Sequence, residues 1–135
     1  MGLVSVGIRV RNVKKSVRFY TRSLGMRVIS RKSFMPGETV IGLRSPDTGA
    51  QLRLMHYEKN CRLYKPYEKG DEMDHLSFEV KDAARTFLRL VKNGAPVAMP
   101  LRVLPARTMG YVKDPDGIWV GLASANRPAQ GRKIK

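Results

Sequence analysis

Two short segments of the chain alternate between apolar and polar residues in the same phase. They are residues 5–12, SVGIRVRN, and residues 75–82, HLSFEVKD. Alternation with a period of two is typical of a strand that buries one face. Each segment ends at a residue suited to cap a helix, Asn12 or Asp82. The pattern therefore predicts a strand followed by a helix, twice.

Apolar residues after each strand recur at helical spacing, as they do in a helix that packs one face on a core. They are Val13, Val17, Tyr20 and Leu24 in the first helix, and Ala84, Phe87, Leu88 and Val91 in the second. Gly25 and Gly94 follow the two helices, and glycine readily adopts the left-handed conformation that ends a helix. The two strand–helix units are thus nearly equal in length.

Three further strands follow each helix, with a turn rich in Pro, Asp and Gly before the last one. We expect them near residues 26–34, 38–44, 50–55, 97–103, 107–113 and 118–123. The chain therefore predicts an α+β fold of two βαβββ modules, residues 3–56 and 73–124, in a single domain spanning 1–125. Residues 57–72 connect the modules, and the basic tail 126–135 is expected to be disordered.

The repeated modules resemble the vicinal oxygen chelate superfamily, which includes glyoxalase I, bleomycin-resistance proteins and extradiol dioxygenases. The similarity rests on GIRVRNVKKSVRFYTRSLGMRV at 7–28, DHLSFEV at 74–80 and YVKDPDG at 111–117, and it covers residues 3–123. It implies a cup-shaped mixed sheet with the helices outside, and a homodimer. It leaves the activity open, because this fold supports many chemistries.

The same resemblance implies four metal-ligand positions, which this chain fills with Ser5, Arg53, His75 and Gly121. His75 alone among them is a usual ligand. Arg53 is a permanent cation that repels a divalent ion. Strand parity turns Asp74 away from His75, so we expect no acid to accompany that histidine. We therefore expect no metal cofactor, with a divalent metal as the alternative.

The residues left in the cup are cationic and aromatic, which favours an anionic or aromatic ligand. The candidate ligand-binding residues are Ser5, Arg9, Arg53, His75, Tyr111 and Trp119. An arginine fork suits a carboxylate or phosphate, and an indole can stack on a flat ring. We therefore expect binding of a small compound without a metal. The alternative is a metal-dependent glyoxalase-like lyase or a dioxygenase, with His75 and Tyr111 as catalytic candidates.

Charge adds a third hypothesis. The chain has 26 Lys and Arg against 11 Asp and Glu, a net charge of +15. Five bases lie on or beside the first helix: Arg11, Lys14, Lys15, Arg18 and Arg22. This basic stripe predicts weak nucleic-acid binding at low salt, which we interpret as incidental because no groove-reading motif accompanies it. The single cysteine, Cys61, excludes an internal disulfide, and no long apolar run is present, so a cytoplasmic protein without membrane contact is expected.

Overall fold

The computed structural model describes residues 1–126 and confirms the predicted order of elements. The first module contains β1 (Gly2–Arg9), α1 (Val13–Arg18), a π-helical turn (Phe19–Ser23), β2 (Arg27–Lys32), β3 (Glu38–Arg44) and β4 (Gln51–Tyr57). The second contains β5 (Met73–Glu79), α2 (Ala83–Lys92), β6 (Val97–Val103), β7 (Arg107–Lys113) and β8 (Trp119–Ala125). The fold is therefore α+β, with the βαβββ pattern present twice. No helix among the described residues is long and apolar enough to span a membrane.

Contacts divide the chain into two compact units. The N-terminal unit is Val4–Leu76, and the C-terminal unit is Met1–Leu3 together with the chain from Ser77 onward. The N-terminal unit has the strand order β2-β3-β4-β1, with the start of β5 beside β1. There β1 and β4 are parallel, whereas β2, β3 and β4 pair antiparallel. In the C-terminal unit the end of β5 is followed by β8, β7 and β6, and these last three pair antiparallel.

Each unit packs its helix on one face of its own strands. In the N-terminal unit, Val13, Val17 and Tyr20 cover the buried residues Val10, Ile41, Leu43 and Leu54. In the C-terminal unit, Ala83 and Phe87 of α2 pack with Val80, Val112 and Leu122. Alternate strand residues supply both cores, as the period-two pattern predicts. Burial of these apolar side chains is the main favourable term in folding.

Two of the predicted core positions are wrong. Leu24 and Leu88 are both 59% exposed. The π-helical turn at Phe19–Ser23 has more residues per turn than an α-helix, so it rotates Leu24 away from the face that Tyr20 occupies. In α2 the buried face runs through Ala83 and Phe87, which places Leu88 on the solvent side.

The predicted helix ends are confirmed. The side-chain oxygen of Asn12 accepts a hydrogen bond from the Lys15 backbone N–H, and that of Asp82 accepts one from Arg85, each at 3.0 Å. Gly25 and Gly94 have φ angles of 78° and 105°, which favour glycine. Of the predicted tail, Asn126 is ordered through the hydrogen bond its N–H donates to Ala106, and the rest lies outside the described residues.

The Asp82 cap gives a direct test of the α2 boundary. Replacing Asp82 by Ala removes the acceptor for the Arg85 N–H, so we expect the free energy of unfolding to fall by about 1 kcal/mol. Urea unfolding followed by circular dichroism measures this change. Asp116→Ala is the matched control, because Asp116 is exposed and its carboxylate caps no helix. An equal loss in both variants would contradict the cap.

Candidate functional site

A row of five residues crosses the strands of the N-terminal unit. Arg53 pairs with Gly7 on β1 and with Gly42 on β3, and Gly42 pairs with Ser30 on β2. The imidazole of His75 packs directly against Gly7. Paired residues of adjacent strands lie side by side on one face of a sheet. Arg53 therefore lies between two glycines, with Ser30 and His75 at the ends of the row.

Gly7 and Gly42 have to be glycines because side chains of neighbouring strands lie very close to their Cα atoms. A Cβ on Gly7 would collide with the His75 ring, and a Cβ on Gly42 would collide with the Ser30 hydroxyl oxygen. Neither glycine has a positive φ, so the requirement is for space rather than for an unusual backbone. The missing side chains allow His75 and Ser30 to lie over the strands that flank Arg53.

A second row on the same face adds more polar groups. Ser5 pairs with Gln51, Gln51 with Arg44, and Arg44 with Arg27. Ser5 is 3% exposed, and its hydroxyl oxygen has no hydrogen-bond partner among the residues that the structure describes. A buried hydroxyl without a partner costs free energy unless a ligand or water satisfies it.

Besides Arg9, which pairs with Met55 on β4, four cations share this face of the N-terminal unit. They are Arg27, Lys32, Arg44 and Arg53, and we call them the cationic face. Lys32 joins the group because it pairs with Val40, which lies two residues from Gly42 on β3. Within residues 1–126 none of the four makes an ion pair with an acidic side chain. The positive charge on this face is therefore not neutralised by the unit itself.

The expectation that no acid accompanies His75 is wrong. The His75 ring is 2% exposed, and its Nδ1 lies 2.7 Å from Oδ1 of Asp74. The other carboxylate oxygen of Asp74 accepts a hydrogen bond of 2.7 Å from the Tyr57 hydroxyl. Strand parity places the Cβ atoms of Asp74 and His75 on opposite faces. The Asp74 carboxylate nevertheless reaches Nδ1 of the His75 ring. A carboxylate on Nδ1 fixes the orientation of the imidazole.

Glu38 is a second buried acid that the sequence analysis missed. It begins β3, pairs with Tyr57, is 6% exposed and accepts a hydrogen bond of 3.0 Å from the Phe34 N–H. Burial raises the pKa of the Glu38 carboxyl, and the nearby charge of Asp74 acts in the same direction. The Phe34 N–H and His75 oppose the increase. In the sequence, Glu38 is a single acid at the start of an apolar strand, and that pattern does not predict that its side chain is buried.

Arg9, a predicted ligand contact, is engaged within its own unit. One Nη atom donates to the Lys65 carbonyl at 2.6 Å, and the other lies 3.4 Å from Asp71. Its guanidinium carbon lies 5.4–5.9 Å from the ring centroids of Tyr57, Tyr64 and Tyr67. Side-chain exposure of Arg9 is 8%. These contacts hold the connection 57–72 against β1.

The remaining candidates belong to the C-terminal unit. Tyr111 pairs with Gly121, and a Cβ on Gly121 would lie 2.7 Å from the Tyr111 ring. The rings of Tyr111 and Trp119 are 5.8 Å apart at a tilt of 50°. The Tyr111 ring therefore lies over the place where the Cβ of a residue larger than glycine at position 121 would be.

The residues at the four family positions do not fit a divalent metal. His75 is the one ordinary metal ligand among them, Arg53 brings a positive charge, and the Tyr111 ring covers Gly121. Ser5 is a weak neutral donor for a divalent ion. In the part of the chain that the structure describes, no three His, Cys, Asp or Glu side chains are grouped to hold a metal ion.

Comparison with known proteins agrees with the fold. Residues 2–122 match the Glyoxalase/Bleomycin resistance protein/Dioxygenase superfamily. The lactoylglutathione lyase of Neisseria meningitidis is 30% identical over 122 residues, covering 87% of this chain and 86% of that protein. The probable lactoylglutathione lyase of Synechocystis is 28% identical over 127 residues, covering 90% and 94%.

A solved structure shows the same fold. Methylmalonyl-CoA epimerase from Mycobacterium tuberculosis superposes with a TM-score of 0.76 at 23% identity, covering 99% of this chain and 92% of the epimerase. The match to the family extends over both βαβββ modules. This chain therefore belongs to the glyoxalase, bleomycin-resistance protein and dioxygenase superfamily.

Proposed function

We propose that this chain binds a small anionic compound at the cationic face, without a divalent metal. The observation that carries the proposal is Arg53, which lies between two glycines and on the same face as a buried hydroxyl, Ser5, that lacks a partner within residues 1–126. A guanidinium donates two parallel hydrogen bonds to a carboxylate or phosphate, and such charge-assisted bonds are the strong ones. An acceptor from the ligand would also satisfy the Ser5 hydroxyl.

Charge supports an anion over a neutral compound. Arg27, Lys32 and Arg44 surround Arg53 on the same face, and the acids of the unit do not pair with them. Like charges held together on a surface repel, and an anionic ligand relieves that repulsion. The names of the relatives agree with this class, because lactoylglutathione and methylmalonyl-CoA are both anions.

The proposed ligand contacts in the N-terminal unit are Ser5, Arg53 and His75. Tyr111 and Trp119 of the C-terminal unit stay sequence-based predictions of contacts to an aromatic or apolar compound. We assign Arg9 to holding the connection 57–72, because its hydrogen bonds are already made. A homodimer in the cytoplasm remains part of the proposal.

The alternative is an enzyme, a glyoxalase-like lyase or a dioxygenase with altered metal ligands. The names of the curated relatives and the retained His75 favour it. The donor set opposes a metal, since an arginine and a glycine occupy two of the four positions. The hydrogen-bonded series Tyr57–Asp74–His75 supplies an oriented imidazole that does not depend on a metal.

Arg53 is the residue whose change tests anion binding. Malonate and inorganic pyrophosphate are suitable probes, titrated by calorimetry at about 150 mM salt, where charges separated by more than ~8 Å are screened. We expect Arg53→Gln to weaken binding of the better probe at least tenfold, because a hydrogen bond to a charged group contributes about 1.5–3 kcal/mol. Arg18→Gln on α1 carries the same charge change away from this face and should alter affinity less than about twofold. Equal losses of affinity in both variants would show that the effect comes from net charge and not from a contact with Arg53.

Metal content separates the proposal from the alternative. Protein purified without chelator is expected to contain far less than one equivalent of Ni, Zn, Mn or Fe by elemental analysis, because the four positions offer one ordinary ligand. His75→Ala should leave the metal content unchanged. Stoichiometric metal in the native protein that is lost in His75→Ala would establish the alternative instead.

The basic stripe on α1 tests the third hypothesis. We expect duplex DNA to bind only at low salt, with a log–log slope of about −3 to −4.5 if three to five phosphates are contacted. Fluorescence anisotropy across a salt series measures the slope. Submicromolar affinity at ~150 mM salt, abolished by Lys14→Glu with Arg18→Glu, would make nucleic acid the principal partner.

A further inference from the structure

The C-terminal unit contains a cavity of about 740 Å³ beside the first turns of α2. None of the proposed ligand contacts lines it. Its walls include the side chains of Val80 and Ala84, and three bases of the same stretch of chain, Lys81, Arg85 and Arg89. A volume of this size lies within the range of about 300–1,000 Å³ that is typical of small-molecule sites.

The three bases are spaced by four residues and are all exposed. Arg85 and Arg89 lie in α2, where like charges at this spacing destabilise the helix by a few tenths of a kcal/mol. Across the described range 1–126, no acidic side chain forms an ion pair with any of them. Asp82 is the one acid in the cavity wall, and its carboxylate accepts the Arg85 backbone N–H as the cap of α2.

Two buried hydroxyls add donors to the same wall. Ser124 is 6% exposed and accepts a hydrogen bond of 2.9 Å from the Ala83 N–H, which leaves the hydroxyl proton for another acceptor. Thr86 is 7% exposed. Neither hydroxyl donates to an acceptor in the part of the chain that the structure describes. The Asn126 side-chain carbonyl, a further acceptor in the wall, already receives a hydrogen bond from Thr108.

We propose that this cavity binds a small organic oxyanion, a phosphate ester or a carboxylate joined to a compact apolar group. Three cations and two hydroxyl donors line this space against a single acid, Asp82, so the complementary ligand is an acceptor with negative charge. Val80, Ala84 and Ala125 give the cavity an apolar part that a bare phosphate would leave unfilled. Residues 127–135 contain four bases and no acidic side chain.

Phenyl phosphate, benzoate and benzamide test the proposal, because they share a ring and differ in the charged group. The full chain labelled with ¹⁵N is titrated at about 150 mM salt, and amide shifts are followed by NMR. The two anions should cause saturable shifts at Ala83, Arg85 and Ser124, and neutral benzamide should not. The anion that binds more tightly identifies the group as phosphate or carboxylate. Absence of saturable shifts at these amides overturns the proposal.

Variants then separate the cavity from general charge. Arg85→Gln and Arg89→Gln should each weaken the better anion about tenfold, and Thr86→Val should weaken it by a smaller factor. Lys14→Gln, with the same charge change on α1, should leave the affinity within about twofold. Melting curves confirm that each variant is folded. Equal weakening by Lys14→Gln overturns the proposal.

Arg53→Gln makes the two proposed sites distinguishable. It should leave the shifts at Ala83 and Ser124 unchanged, because Arg53 does not line the cavity. Loss of those shifts in Arg53→Gln would show that the probe occupies the cationic face instead of the cavity.

Discussion

The absence of a side chain at Gly7 determines the geometry of the N-terminal site. The His75 ring lies where a Cβ of residue 7 would be, so the imidazole can be buried against β1 without distorting the strand. Burial of a polar ring is costly unless its nitrogens are satisfied, and the Asp74 carboxylate meets that need at Nδ1. On the other side of Arg53, the missing side chain of Gly42 leaves room for the Ser30 hydroxyl in the same way. The polar row thus depends on two glycines.

The distribution of charge follows from this packing. Glu38 and Asp74 lie at the end of the sheet where Tyr57 is buried, and they are held by hydrogen bonds from Phe34 and Tyr57. Glu38 shares the strand parity of Arg44 on β3, but it lies at the opposite end of that strand. Glu38 and Asp74 therefore make no ion pair with the four cations of the cationic face within residues 1–126, although such pairing would lower the net repulsion. A site arranged in this way is poised to accept negative charge from outside the chain.

The sequence predicted the elements better than the contacts between them. Alternation, the caps Asn12 and Asp82, and the turns define the two βαβββ modules, because these are local properties of the chain. Leu24 was assigned to the wrong side because the π-helical turn has no local signature. Asp74 was excluded on strand parity, a rule that describes Cβ directions but not the reach of a carboxylate to the ring of its neighbour. Glu38 is buried through register pairing with Tyr57, which is not visible before β3 and β4 are aligned.

The changed metal positions are matched by changes around them. Arg53 needs more room than a carboxylate, and both of its neighbours across the strands are glycine. Gly121 has no side chain to bind a metal. The Tyr111 ring fills the space beside it, so the missing side chain leaves no cavity. The Asp74 carboxylate orients the His75 ring. The buried Ser5 hydroxyl has no hydrogen-bond partner within residues 1–126 and lies on the same face as Arg53, one pair along the β1–β4 ladder, so that face has an unmet polar requirement for a ligand or water to satisfy.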